Sequence, residues 1–191
     1  MLAQTLIFLI TTVGDLFVLA LLLRFILQWV RAPARNQLSE FVAALTDFVV
    51  RPARRVIPGW WGLDLATLVL AWLAAMLQLW LVLQIKGYMP GSAVGAVPAV
   101  IAGLAALEIA RLAVYVVMVA VILQAVLSWV NPYNPLGPLL GSVTRPFLRP
   151  FQKWVPTIAN VDLSPLFVLL ICQLLLAVPL VWLEATLGRL L

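Results

Sequence analysis

Chemistry in a protein needs titratable, nucleophilic or metal-binding side chains held close together. This sequence offers few. It has 7 Asp+Glu and 12 Lys+Arg among 191 residues, and no histidine. The usual general base, the commonest metal ligand and the usual haem ligand are thereby removed. Cys172 is the one cysteine and stands inside an apolar run. A lone thiol forms no internal disulfide and, without histidine, no zinc site. It reads as a small buried apolar side chain. The chain lacks G-x-S-x-G, H-E-x-x-H and the phosphate-cradling G-x-x-x-x-G-K. With no nucleophile–base pair, no catalytic, metal or cofactor-binding residue is assigned, and the expectation is a non-enzyme without cofactor.

What remains are charges and amides inside apolar sequence. Asp15 lies in the middle of one apolar run, with Arg24 nine residues on. A charge at the centre of a membrane helix costs about 2.5–3.5 kcal/mol on insertion scales, so such a residue raises a functional expectation. Arg24 falls half a turn around a helix from Asp15, so the two are not expected to pair within it. Arg24 and Gln28 correspond to Gln124 and Ser128 in a later run. Asp15, Arg24, Gln28, Gln124 and Ser128 are therefore the candidate intramembrane polar site. Glu108 and Arg111, three apart, are expected to pair. Lys86 and Glu184 are placed to meet at the far ends of their runs, and Gln78 is a candidate inter-helix hydrogen-bonder.

The elements that must carry these residues follow from hydropathy. The chain is 65% hydrophobic and 10% charged, with a mean hydropathy of +1.13. Soluble domains are about 45–50% apolar and about 25% charged, so a membrane protein is expected. Apolar runs lie at about 4–30, 64–85, 105–130 and 163–187. Each exceeds the roughly 20 residues that cross a bilayer as a helix. The runs are continuous rather than alternating, which argues against a barrel. The opening MLAQTLIFLI has no basic stretch and reads as a first membrane helix, not a signal peptide. The expected fold is all-α: four transmembrane helices as two tandem hairpins, with interfacial amphipathic helices in the two long loops. Residues 92–104 are expected to form a short interfacial piece ahead of the third span.

The loops Arg31–Leu63 and Asn131–Val161 hold Arg31, Arg35, Arg51, Arg54, Arg55, Arg145, Arg149 and Lys153, whereas Lys86 and Arg189 mark the opposite side. This excess predicts long loops in the cytoplasm and termini outside. The net charge of +5 then points to anionic lipid of the cytoplasmic leaflet as partner, not to nucleic acid.

The loops also repeat. Residues 51–58 read RPARRVIP and residues 149–156 read RPFQKWVP; six residues beyond each final proline stand Asp64-Leu65 and Asp162-Leu163. From Thr46/Thr144 to Asp64/Asp162 the offset is a steady 98. The chain thus divides into units 1–90 and 91–191. Residues 37–50 have helical amphipathic period. Pro52 is expected to bend the first loop helix, and Pro146 and Pro150 to break the second. Arg51, Pro52, Arg55, Pro58, Arg145, Arg149, Pro150, Lys153 and Pro156 form a candidate lipid- or partner-docking motif. Asp64 and Asp162 are expected helix N-caps.

At this doubled motif the chain resembles the YggT family of small integral membrane proteins, in its two-repeat bacterial form. The residues that carry the resemblance are Arg51-Pro52, Pro58 and Asp64-Leu65, then Ser128-Trp129-Val130, Asn131-Pro132, Pro138-Leu139, Thr144, Pro146, Arg149-Pro150, Pro156 and Asp162-Leu163-Ser164-Pro165. The first copy departs at Arg31-Ala32-Pro33 and Ala66-Thr67. The resemblance implies a multi-pass protein of the bacterial inner membrane from a family not known as enzymatic, and the loop charges make its termini periplasmic. It also implies a scaffolding context: plastid relatives are linked to maturation of a membrane b-type cytochrome and to membrane-attached nucleoids, bacterial ones to envelope or division settings. Two functions are expected to compete. One is a scaffold or assembly factor that docks another membrane or membrane-associated protein on its basic loops, with a homo-oligomer as a further partner. The other is a small ion or solute permeation protein using the intramembrane polar site.

Overall fold

A computed structural model of the chain describes residues 1–32, 36–57, 59, 63–87, 97–131, 134–154 and 162–189. The elements are α1 (Leu2–Trp29), α2 (Gln37–Val56), α3 (Leu65–Ile85), α4 (Val97–Val130), α5 (Gly137–Trp154), α6 (Ser164–Leu175), a π turn (Leu176–Leu180) and α7 (Val181–Gly188). Helices α1, α3 and α4, and the continuous stretch Ser164–Gly188, are long and apolar enough to cross a membrane. Their outward side chains are apolar as well, as at Phe8, Leu16, Leu77, Trp80, Leu170 and Trp182. Such a surface suits hydrocarbon and not water.

Helix ends follow local chemistry. The Asn36 side chain accepts from the Ser39 amide at 2.8 Å and starts α2. α1 is followed by Arg31 at φ 50 and α3 by Gly87 at φ 72, the left-handed position that closes many helices.

α1 packs most extensively on α3, and α3 on α4; α4 in turn meets α5 and α6. One core joins Val18 and Leu21 of α1, Val50 of α2, Ala71 and Ala75 of α3 and Ala105 of α4. A second joins Leu22 and Ile26 to Ala120, Leu139 and Val143. A third joins Val117 and Val121 to Leu148, Val168 and Cys172. Each core thus includes a residue from α2 or α5. The loop helices are seated in the bundle along one stripe, such as Val42, Thr46 and Val50, while Phe41, Leu45 and Phe48 stay exposed beside it.

Two expectations are corrected. First, residues 97–104 are not a separate interfacial piece but the opening turns of α4. Pro98 lies in the first turn, where its missing N–H costs nothing. Val100, Ile101 and Ala105 are buried, and the Trp72 indole N–H donates to the Ala102 carbonyl at 2.9 Å. Residues 92–96 fall outside the described residues.

Second, the helix α2 continues past Arg51 and Pro52, and Pro146 and Pro150 do not break α5; both helices run through their prolines. All three prolines lie on the exposed side. The carbonyls they leave unbonded can meet water or headgroups there, while the buried stripe opposite holds the helix together.

The last long helix is not uniformly α. Pro179 cannot bond back to residue 175, and the turn Leu176–Leu180 opens into a π turn around it.

Candidate functional site

The loop helices are tied to the membrane-length helices by polar clasps that recur in both units. In the first unit, Arg24 on α1 reaches α2. Its Nη1 donates to Thr46 Oγ1 and to Asp47 Oδ1, each at 2.8 Å. Thr46 is fully buried and donates its own hydroxyl to the Val42 carbonyl at 2.7 Å. The Arg24 hydrogen bond holds the Asp47 carboxyl below its ordinary value, and Arg51, 2.7 Å away on the next turn, acts in the same sense.

A second clasp ties the far end of α2 to the start of α3. Asp64 is the N-cap of α3, its Oδ1 accepting from the Thr67 amide at 3.3 Å. Its other oxygen accepts from Arg54 Nε at 3.1 Å, from Arg54 Nη2 and from the Thr67 hydroxyl. Arg54 Nη2 also donates to Gln28 Oε1 at 3.3 Å. One carboxylate, 4% exposed, thus closes α1, α2 and α3 together.

The second unit repeats this layout without the ion pairs. Gln124 stands in place of Arg24, and its side-chain amide meets the hydroxyl of Thr144, which donates to the Leu140 carbonyl at 2.9 Å. Thr144 is fully buried, like Thr46. Gln152 stands in place of Arg54 and donates to Asp162 Oδ2 at 3.0 Å. The expected cap is corrected here: Leu163 holds the N-cap position of α6, and Asp162, one residue earlier, accepts from the Ser164 amide at 2.8 Å. Pro165 explains the difference. It removes the amide that Thr67 supplies to Asp64 in the first unit.

Of the docking motif, Arg51, Pro52, Arg55, Arg145, Arg149, Pro150 and Lys153 are exposed on α2 and α5. Arg51 is paired with Asp47. Arg55, Arg145, Arg149 and Lys153 make no ion pair among the described residues. Pro58 and Pro156 lie outside the described residues.

The intramembrane polar residues are divided among separate contacts. Arg24 and Gln28 belong to the two clasps of the first unit, Gln124 to that of the second, and Ser128 bonds back to the Ala125 carbonyl at 2.7 Å. Asp15 lies elsewhere: its Oδ1 accepts from Gln78 Nε2 at 2.6 Å, across α1 and α3. Gln78 lies tight against Gly14, where an added Cβ would sit 2.4 Å from Gln78 Oε1. Gly14→Ala should therefore push Gln78 off Asp15 and cost about 1–2 kcal/mol. The check is a double-mutant cycle on unfolding in detergent: once Gln78 is shortened to alanine, Gly14→Ala should cost almost nothing. Additive losses would contradict the contact.

Arg111 bonds Glu108 at 3.3 Å and Glu184 of α7 more closely. Glu184 is thus the partner of Arg111, not of Lys86 as expected.

Arg54, Thr46, Thr144, Thr67 and Gln152 were given no place in the site by sequence reasoning. The repeat itself held the signal. Thr46 and Thr144 open the stretch of constant offset, and Arg54 and Gln152 sit ten residues ahead of Asp64 and Asp162.

Comparison with known proteins agrees with the doubled architecture. The chain is 39% identical over 171 residues to an uncharacterized protein of Pseudomonas aeruginosa, covering 88% of this chain and 85% of the relative. It is 31% identical over 172 residues to an uncharacterized protein of Haemophilus influenzae, covering 89% and 88%. It is 29% identical over 169 residues to the uncharacterized protein YggT of Escherichia coli, covering 88% and 85%. No solved structure matches. The CCB3/YggT family model matches residues 3–85 and 103–183, one stretch for each clasped unit, and the chain belongs to that family.

Proposed function

We propose that the chain is a non-catalytic, multi-pass protein of the bacterial inner membrane that serves as a scaffold or assembly factor. In this reading the termini are periplasmic and α2 and α5 lie at the cytoplasmic headgroup plane. One observation carries it. The polar groups that face inward on the loop helices are engaged in clasps, whereas Arg55, Arg145, Arg149 and Lys153 are exposed and make no ion pair among the described residues. A rigidly held helix with unpaired cations suits anionic lipid and an acidic partner surface. Each cation near an anionic leaflet contributes about 1 kcal/mol of attraction. The partner is a membrane or membrane-associated protein, with a second copy of the chain as a further candidate.

In-membrane photo-crosslinking from α2 and α5 tests this. Exchanging Arg51, Arg55, Arg149 and Lys153 for glutamine should reduce crosslinked partner at least about tenfold while insertion is unchanged. Undiminished capture would overturn the docking role.

A second reading, permeation of an ion or small solute, draws on the carboxylates inside the membrane-length helices. Glu108 lies within electrostatic reach of Asp15 and of Glu184, and Arg111 is bonded to both glutamates. Its test is flux into proteoliposomes: flux equal to that of empty vesicles, or flux indifferent to Asp15→Asn, would remove it.

A further inference from the structure

The two units differ at one place in a way that implies a ligand. In the first unit, Arg24 and Arg51 share the Asp47 carboxylate on the inward side of α2. At the repeat offset of 98, position 145 corresponds to position 47 and holds arginine; Gln124 replaces Arg24. The second unit has therefore lost the carboxylate and gained a cation at the same site. Its neighbours differ as well. Ala43 and Ala44 become Gly141 and Ser142. A cavity of about 410 Å³ opens there, lined by Gln124, Gly141, Ser142, Arg145 and Gln152 among others.

We propose that this cavity binds a phosphate-bearing anionic group, supplied by a phospholipid headgroup. The ligand stands where the first unit carries its own Asp47 carboxylate. Arg145 provides the charge and a planar donor fork suited to phosphate oxygens. The amides of Gln124 and Gln152 provide neutral donors, while the Ser142 hydroxyl already donates to the Leu139 carbonyl at 2.7 Å. No carboxylate is among the described residues that line the cavity. Asp162, the nearest one bonded to a lining residue, already accepts from Gln152 and the Ser164 amide. The site rests on the interfacial placement of α5 in the proposed function, not on the docked partner. A headgroup lying in that plane reaches the cavity with its acyl chains still in the bilayer.

The test uses the full chain reconstituted with phosphatidylglycerol in a phosphatidylcholine background, with lipid retention read by native mass spectrometry. Arg145→Gln should weaken retention of phosphatidylglycerol at least about tenfold. Arg31→Gln, the same charge change on an exposed arginine of the same loop side, should leave it unchanged. Gly141→Leu is the second variant. A Cβ there meets nothing within 4 Å, so the larger side chain fills the cavity with the charge kept and the helix intact. It should also lose the lipid. Retention by both Arg145→Gln and Gly141→Leu overturns the site, as does an equal loss in Arg31→Gln. Displacement by inorganic phosphate at matched concentration overturns the lipid assignment. Lipid loss in these variants with partner crosslinking preserved separates this site from the scaffold role.

Discussion

Asp64→Ala is expected to destabilise the folded chain by about 2–4 kcal/mol, the larger part from Arg54 and the smaller from the helix cap. Losing an N-cap carboxylate costs about 0.5–2 kcal/mol. Leaving a buried cation without its partner costs about 3–5 kcal/mol. Arg54 is 44% exposed, so solvent offsets much of that second loss. Asp64→Asn separates the two effects, because asparagine still caps but no longer pairs. Asp162→Ala should cost about 1 kcal/mol or less, since Asp162 is exposed, holds no cap position and faces a neutral amide. Unfolding in detergent measures all three, and equal losses at Asp64 and Asp162 would contradict the ion pair. The same pair sets a pH dependence. Burial pushes the Asp64 carboxyl up, but the bonds from Arg54 and Thr67 outweigh it, and the folded value lies below the ordinary 3.8. A lowered value means stability that is complete above 3.8 and is lost as pH falls through the folded value. The Asp64 contribution should be flat from neutral pH to about 5 and decline only under about 4. Asp64→Asn should abolish that decline.

Arg24→Ala should cost a similar amount, about 2–4 kcal/mol, while Arg24→Gln should cost about half as much. Arg24 is 14% exposed and spans α1 to α2. Its removal withdraws the donor from Thr46 and leaves Asp47 to Arg51 alone. Glutamine keeps the Thr46 contact, as Gln124 does with Thr144. Rescue follows from the second unit. Asp47→Arg placed alone gathers three arginines, with Arg24 and Arg51, and should be strongly destabilising. In the Arg24→Gln background it reproduces the Gln124–Arg145 arrangement, so the double variant should be more stable than the sum of its parts by about 1–3 kcal/mol. Simple additivity would refute the equivalence of the two clasps.

Membrane-length helices and amphipathic loop helices could be read from the chain because both depend on local composition and period. The continuity of α2 and α5 could not. Whether a helix survives Pro52 or Pro146 depends on how firmly its opposite face is seated, and Val50, Val143 and Leu148 are seated by residues far away in sequence. Residues 97–104 misled for the same reason: their alanines and glycine look like a linker, yet small residues let α4 approach α3 closely. At the site, sequence placed Arg24, Gln28 and Gln124 on a common seam by periodicity. It could not show that each turns to a loop helix, because that depends on where Thr46 and Thr144 come to rest.

The π turn at Leu176–Leu180 changes how the two units should be compared. Cys172 faces Val117 and Val121 of α4. Twelve residues on, an unbroken α-helix would point Glu184 about 120° away from that side. A π turn absorbs one extra residue and returns about 100° of that rotation, which brings Glu184 round to Arg111. The turn is thus the trace of a single inserted residue that the helix has accommodated without losing its path. Beyond Pro179 the numerical correspondence between the units slips by one. Glu184 thus pairs with Arg111 and does not mirror Lys86 of the first unit.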